Sequence, residues 1–175
     1  MKTLPKQNSF SVKSVAFVSK AGKGFTLIEM LVVISLIGIL ATLAIVSYTG
    51  TQKSARDTQR KSDTKQYQNA VEIFASKNNG LYPSETNAAG VSAATTLCTD
   101  IVSTTCPEDP RAADDATFTY KYQSDGSGGA TLDAAKYVIW AKLENSEDYW
   151  VVCSNGKVGV KAQTGFSVGG GVCPL

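Results

Sequence analysis

Hydrophobic residues are concentrated in one run near the N-terminus, from Phe25 to Tyr48. Before the closing Ser47 and Tyr48, its only polar residues are Thr26, Glu29, Ser35 and Thr42. A helix rises about 1.5 Å per residue, so this run is long enough to cross a hydrocarbon core of roughly 30 Å. The alternative is a secretory signal peptide, whose apolar region is usually about 7 to 15 residues long. The longer run and the lack of a clean A-x-A site favour a transmembrane helix over residues 25–48.

A polar stretch follows, and no proline interrupts it before Pro83. Its distal part has one apolar stripe at the helical spacing i, i+3, i+4 and i+7, formed by Tyr67, Ala70, Val71 and Phe74. Asn79 and Gly80 supply a C-terminal stop signal. The pattern therefore predicts one helix from residue 25 to about residue 78, with residues 49–80 as its amphipathic continuation.

The part of this helix from Thr51 to Gln66 is polar on all sides. We therefore expect it to pack against other copies of the chain instead of against its own domain. It also carries a basic belt, opposed by Asp57 and Asp63 and formed by Lys53, Arg56, Arg60, Lys61 and Lys65. Three interpretations stay open: a solvated helix face, which we favour, a contact with anionic headgroups, and a DNA-binding stripe. The absence of aromatic residues among these charges argues against DNA.

The C-terminal part, residues 81–175, which we call the head, has the pattern of a small antiparallel sheet. Aromatic or β-branched runs predict strands at Phe118–Gln123, Lys136–Leu143, Tyr149–Ser154 and Lys157–Lys161. Asn155 and Gly156 predict a two-residue hairpin turn between the last two. The composition of residues 84–116 predicts an irregular connection. Trp140 and Trp150 are predicted to be core residues of the strands. The fold class is therefore α+β, a long helix packed on a small sheet.

Charge and composition narrow the range of functions that the chain can have. Residues 1–24 contain five lysines and no acid, and the rest of the chain has 12 basic and 15 acidic side chains, a net charge of −3. The chain contains no histidine, which removes the commonest general base and most zinc sites. The acidic residues of the head lack the ligand spacing of a calcium loop. We therefore expect that the protein is not an enzyme and that it binds no metal and no cofactor.

The chain has four cysteines, Cys98, Cys106, Cys153 and Cys173, without C-x-x-C spacing. An even number of this kind predicts two disulfides and an oxidising compartment. Of the three pairings, we expect the one that closes the shortest loops, Cys98 with Cys106 and Cys153 with Cys173.

Glu29 is unusual because a carboxylate near the start of a membrane helix costs about 2.5 to 3.5 kcal/mol even on the more lenient scale. It should therefore have a partner, but the apolar run contains no cation. If the chain were cut before Phe25, the new amine of a neighbouring subunit could pair with this acid.

The segment KGFTLIEMLVVI, residues 23–34, resembles the N-terminal signal of type IV pilins and type II secretion pseudopilins. The resemblance implies that residues 1–24 form a leader that a prepilin peptidase removes after Gly24. Phe25 would become the N-methylated first residue, and Glu29 would neutralise the Phe25 amine of the adjacent subunit during assembly.

The same resemblance implies a structural subunit of a type IV pilus-like filament. The subunit would be a single-pass membrane protein before assembly and part of an extracellular or cell-surface filament afterwards. Its expected partners are other copies of the chain, the membrane, the peptidase, an assembly ATPase and a platform protein. The alternatives are a major pseudopilin of a secretion system, a competence pilin that takes up DNA, and a singly anchored extracellular binding domain outside the family.

Overall fold

The computed structural model describes residues 24–98, 106–129 and 131–175. The expected leader therefore lies outside the described residues, apart from Gly24. The chain divides into two units at Thr42 and Leu43. One helix, α1, spans Leu27–Lys77. By length and composition it could cross a membrane, since its most apolar window has a mean hydropathy of 2.7.

The end of α1 follows the predicted stop signal. Asn79 adopts a left-handed conformation with φ 56°, and the Gly80 N–H donates to the Ala75 carbonyl over 2.8 Å. This six-residue closure satisfies a carbonyl that the helix leaves free at its last turn. Both residues of the stop signal are left-handed, since Gly80 also has a positive φ of 80°.

The second unit contains a five-stranded antiparallel sheet of order β2-β3-β5-β6-β7, and a separate pair of β1 with β4. The elements after α1 are β1 Tyr82–Pro83, β2 Val91–Ser92, α2 Ala93–Thr96, β3 Lys121–Ser124, β4 Leu132–Ala134, β5 Tyr137–Lys142, β6 Tyr149–Cys153 and β7 Val158–Lys161, followed by a short 3₁₀ helix Gly169–Gly171. The predicted α+β class is confirmed. Two expectations need correction: β3 begins three residues later than predicted, and the connection 84–116 contributes β2 and α2.

The β6–β7 hairpin is antiparallel as predicted, but its turn is wider. The Gly156 N–H donates to the Cys153 carbonyl over 3.1 Å, and the Cys153 N–H donates to the Lys157 carbonyl over 3.0 Å. The loop therefore has three residues, with Gly156 in the left-handed position at φ 81°. The predicted two-residue turn was wrong because Asn-Gly also fits the end of a three-residue loop.

The sheet buries apolar side chains on both faces. On one face, Ile139 and Val152 belong to the same core cluster as Tyr67 and Val71 of α1. On the other face, Val138, Trp140, Val151 and Cys153 form a second cluster with Val168 of the C-terminal segment. Trp140 is buried and Trp150 is half-buried, which confirms the expectation that both tryptophans serve the core.

The expectation that residues 51–66 have nothing to bury in one subunit was wrong. Asp57, Arg60, Asp63 and Thr64 are all buried in the second unit. Asp57, Arg60 and Thr64 extend the stripe of Tyr67 and Val71 at the same helical spacing. A search for apolar positions misses this part of the stripe because its members are polar.

Candidate functional site

Glu29 lies in the first turn of α1, where it forms a capping box with Thr26. The backbone N–H and the hydroxyl of Thr26 donate to Glu29 Oε2 over 2.8 and 2.7 Å. In return, the Glu29 N–H donates to the Thr26 hydroxyl over 3.3 Å. This reciprocal arrangement satisfies orphan donors at the helix start and explains why α1 begins at Leu27. The T-x-x-E spacing of Thr26 and Glu29 indicates this cap in the sequence, in addition to the expected role of Glu29 as a partner for another subunit.

The surroundings of Glu29 are otherwise apolar. It lines a shallow groove together with Phe25, Ile28, Val32 and Val33. Its second carboxylate oxygen, Oε1, accepts no hydrogen bond from the described residues. Residues 25–42 contain no lysine or arginine. One oxygen of Glu29 is therefore held by the cap, and the other is available to a cation from outside residues 25–42.

Gly24 and Phe25 precede the helix in a segment without regular structure. The Phe25 side chain is 78% exposed, and the space around the Gly24 Cα is open. Peptide-bond cleavage requires an accessible, non-helical segment, and the bond between these residues meets both conditions. The cleavage and methylation assignments stay predictions.

A buried ionic cluster ties α1 to two loops of the head. Arg60 is completely buried and donates from Nε and Nη2 to the two oxygens of Asp109, over 2.6 and 2.9 Å. Its Nη1 donates to Asp57 over 2.8 Å. A guanidinium forms such a two-bond contact with a carboxylate through its planar fork. Arg60 therefore fixes the loop around Asp109 to the helix.

Glu144 extends this cluster to the β5–β6 turn. It accepts two hydrogen bonds from Arg56, each 2.7 Å long, and approaches Arg60 and Arg111 at 3.3 and 3.4 Å. Asp57 accepts the backbone N–H of Glu144 over 2.8 Å. Among the described residues, the cluster contains three arginines and three carboxylates, and their formal charges balance.

The cluster corrects our favoured interpretation of the basic belt. Arg60 and Arg56 serve the packing of the head, so this part of the belt is not a solvated face. Burial opposes the charged form of Arg60, but the hydrogen bonds to Asp109 and Asp57 outweigh it and raise the pKa of Arg60 above its ordinary value. No local pattern indicates this pairing, because Asp109 and Glu144 lie 49 and 84 positions from Arg60 along the chain.

We expect the contribution of Glu144 to stability to disappear in acid. The hydrogen bond from Arg56, helped by Arg60 and opposed by burial, lowers the Glu144 pKa from 4.5 to about 2. Because the folded value is the lower one, this contribution is complete above the ordinary pKa and is lost as the pH falls towards the folded value. Urea unfolding of the wild type and Glu144→Gln should differ clearly at about pH 6 and much less at about pH 2. An equal difference at both pH values would contradict the pairing.

Further polar residues of α1 bind tyrosines of the head. The Tyr120 hydroxyl donates to Asp63, and the Tyr137 and Tyr82 hydroxyls donate to Glu72, over 2.7, 2.7 and 3.1 Å. Burial, followed by the charge of Glu72, raises the pKa of Tyr82 to about 12. These tyrosines therefore stay protonated and act as donors throughout the physiological range.

The cysteines form two pairs within the second unit. Cys153 and Cys173 are joined with Cα atoms 5.7 Å apart, and this predicted disulfide is confirmed. It fastens the C-terminal segment to the second core cluster, which contains Cys153. Cys98 and Cys106 are also paired, with Cα atoms 5.7 Å apart. Both separations lie within the range that a disulfide spans.

The complete connectivity can be checked chemically. We expect non-reducing peptide mapping of the purified chain to find Cys98 linked to Cys106 and Cys153 linked to Cys173. Peptides that join Cys98 or Cys106 to either of the other two cysteines would refute this connectivity.

Comparison with known proteins agrees with the N-terminal signal. Residues 19–45 match the family described as "Prokaryotic N-terminal methylation motif". The chain is 32% identical over 75 residues to the "Type IV major pilin protein PilE" of Neisseria gonorrhoeae. This alignment covers 43% of the chain and 44% of that pilin, so the chain spans less than half the length of its relative. No solved structure matches the chain significantly. The predicted resemblance is confirmed: residues 19–45 carry the N-terminal methylation motif, and 75 residues of the chain are similar to a type IV major pilin.

Proposed function

We propose that this protein is a structural subunit of a type IV pilus-like filament. The methylation motif at residues 19–45 is the observation that carries the proposal. It is supported by the exposed Gly24–Phe25 segment, the long apolar helix and the capped acid within one helical turn of Phe25. No catalytic role is part of the proposal.

Assembly begins with removal of the basic leader after Gly24 and methylation of the Phe25 amine. The peptidase that cuts prepilins is the expected partner for this step. The processed subunit is stored in the membrane through its apolar helix. An assembly ATPase and a platform protein are the expected partners for its extraction into a filament at the cell surface.

Glu29 supplies the pairing that sets the axial position of one subunit on the next. Thr26 holds Oε2 of the carboxylate, and Oε1 faces no donor among the described residues. The Phe25 amine of a neighbouring subunit can bind there. An isolated charge in an apolar surrounding is expensive, so an unpaired acid and an unpaired amine both favour this contact.

The head is built to stay attached to its own helix during this process. The ionic cluster connects α1 to the Asp109 loop and the β5–β6 turn, and the tyrosine bonds connect it to the sheet. A singly anchored binding domain would also need a stable head. It would not need the methylation motif, which is why we favour the filament.

Blocking the cut tests the proposal. We expect Gly24→Leu to accumulate as an unprocessed membrane protein and to yield no sheared filament. Gly50→Leu is the matched control, because Gly50 also has open space around its Cα but lies in α1 beyond the apolar run. The control should be processed like the wild type. Filaments made from unprocessed Gly24→Leu chains would contradict the proposal.

A further inference from the structure

A cleft of about 310 Å³ lies at one end of the head, where three loops meet. Its walls come from Tyr82 after the helix, Lys136 before β5, Ser154 and Asn155 in the β6–β7 hairpin, and Gly171 and Cys173 in the C-terminal segment. The residue Tyr82 follows the C-terminal end of α1, about 30 Å along the helix from Arg56. The cleft is therefore separate from the ionic cluster.

The walls of the cleft are held in place by contacts of their own. The Asp125 carboxylate accepts the backbone N–H of Lys136 over 2.8 Å, and the Cys153–Cys173 disulfide fastens the C-terminal segment. A Cβ on Gly171 would lie 2.9 Å from the Lys136 carbonyl oxygen, so these two walls touch closely. Binding sites of small molecules are usually preformed in this way.

Three residues that line the cleft, Lys136, Ser154 and Asn155, carry side-chain donors without a partner among the described residues. Lys136 is exposed and takes part in none of the ion pairs between described residues. The Asn155 side-chain oxygen accepts the Lys157 N–H over 3.0 Å, which leaves its NH₂ group free of described partners. The Ser154 hydroxyl also makes no hydrogen bond with a described residue. No lining residue is acidic.

We propose that this cleft binds a small hydroxylated carboxylate, such as an acidic sugar unit. Lys136 would pair with the carboxylate, while Ser154 and Asn155 would bind hydroxyl groups. Neither of the two nearby acids lines the cleft. One oxygen of Asp125 accepts two backbone N–H groups, and Glu72 accepts the Tyr82 and Tyr137 hydroxyls. The volume is at the low end of ligand sites, roughly 300 to 1,000 Å³, and so fits one sugar unit.

The test is calorimetric titration of the full chain in detergent micelles with glucuronate, using glucose and acetate as comparison ligands. We expect saturable glucuronate binding, with glucose and acetate each weaker by about tenfold or more because each lacks half of the recognised groups. Lys136→Gln should weaken glucuronate binding by about tenfold. Lys157→Gln, a lysine of the neighbouring hairpin that does not line the cleft, should leave it unchanged.

Asn155→Ala provides a second variant and should also weaken glucuronate binding. Thermal unfolding of each variant must match the wild type before its affinity is compared. The proposal is overturned by an absence of saturable binding, by equal binding of acetate and glucuronate, or by binding that both folded cleft variants retain. None of these results depends on whether the chain polymerises, so they leave the proposed filament function untouched.

Discussion

Replacing Arg60 with methionine is expected to lower the free energy of unfolding of the head by about 3 to 5 kcal/mol. The substitution leaves Asp109 and Asp57, both buried, without their cation. Truncating one partner of a buried ion pair is strongly destabilising because the remaining charge is desolvated and unpaired. Tryptophan fluorescence during urea unfolding of the full chain measures the effect, since both tryptophans lie in the sheet.

Lys53→Met is the matched control for Arg60→Met. Lys53 lies on the same helix and also carries a positive charge, but it is exposed. Its replacement should change the free energy of unfolding by no more than about 0.5 kcal/mol. An equally small change in the free energy of unfolding for Arg60→Met would show that the ionic cluster does not hold the head to the helix. The basic belt would then be interpreted as a solvated helix face.

Glu29→Gln is expected to reduce the yield of sheared filament at least tenfold while the amount of membrane-inserted subunit stays the same or rises. Loss of a desolvated charge pair worth more than about 1.4 kcal/mol accounts for a factor of ten. Insertion should not suffer, because removing a carboxylate from a membrane helix lowers the free energy of insertion.

This variant separates two roles of Glu29. Glutamine also serves in a capping box, so Glu29→Gln retains an acceptor for the Thr26 donors while it removes the charge. Thr26→Val is the complementary variant, which removes the hydroxyl of the cap and retains the charge. We expect Thr26→Val to assemble better than Glu29→Gln. Normal filaments from Glu29→Gln would show that the cap, and not the charge pair, is what the acid contributes.

Local patterns predicted the elements of this fold well where a single stretch carries the signal. The apolar run, the stripe through Tyr67 and Val71, and the aromatic strands around Trp140 and Trp150 each appear in the structure near their predicted places. The short strands β1, β2 and β4 have only two or three residues, so no alternation of polar and apolar positions could indicate them.

The ionic cluster could not be predicted from local sequence patterns, for a different reason. A buried arginine and an exposed one look alike in a sequence, and what separates Arg60 from Lys53 is the presence of carboxylates brought in by distant loops. The three-residue hairpin loop shows a similar limit, since Asn155 and Gly156 fit two turn types. The capping box at Thr26 and Glu29, in contrast, was available from spacing alone.

We propose that the chain is cut before Phe25 and polymerises through the helix that begins at Leu27. Mass spectrometry of subunits recovered from sheared filaments tests it most directly, because it reads the N-terminus of the assembled form. We expect every assembled subunit to begin at Phe25 and to carry one methyl group on its α-amine. Assembled subunits that retain residues 1–24, or that begin at any other residue, would contradict it.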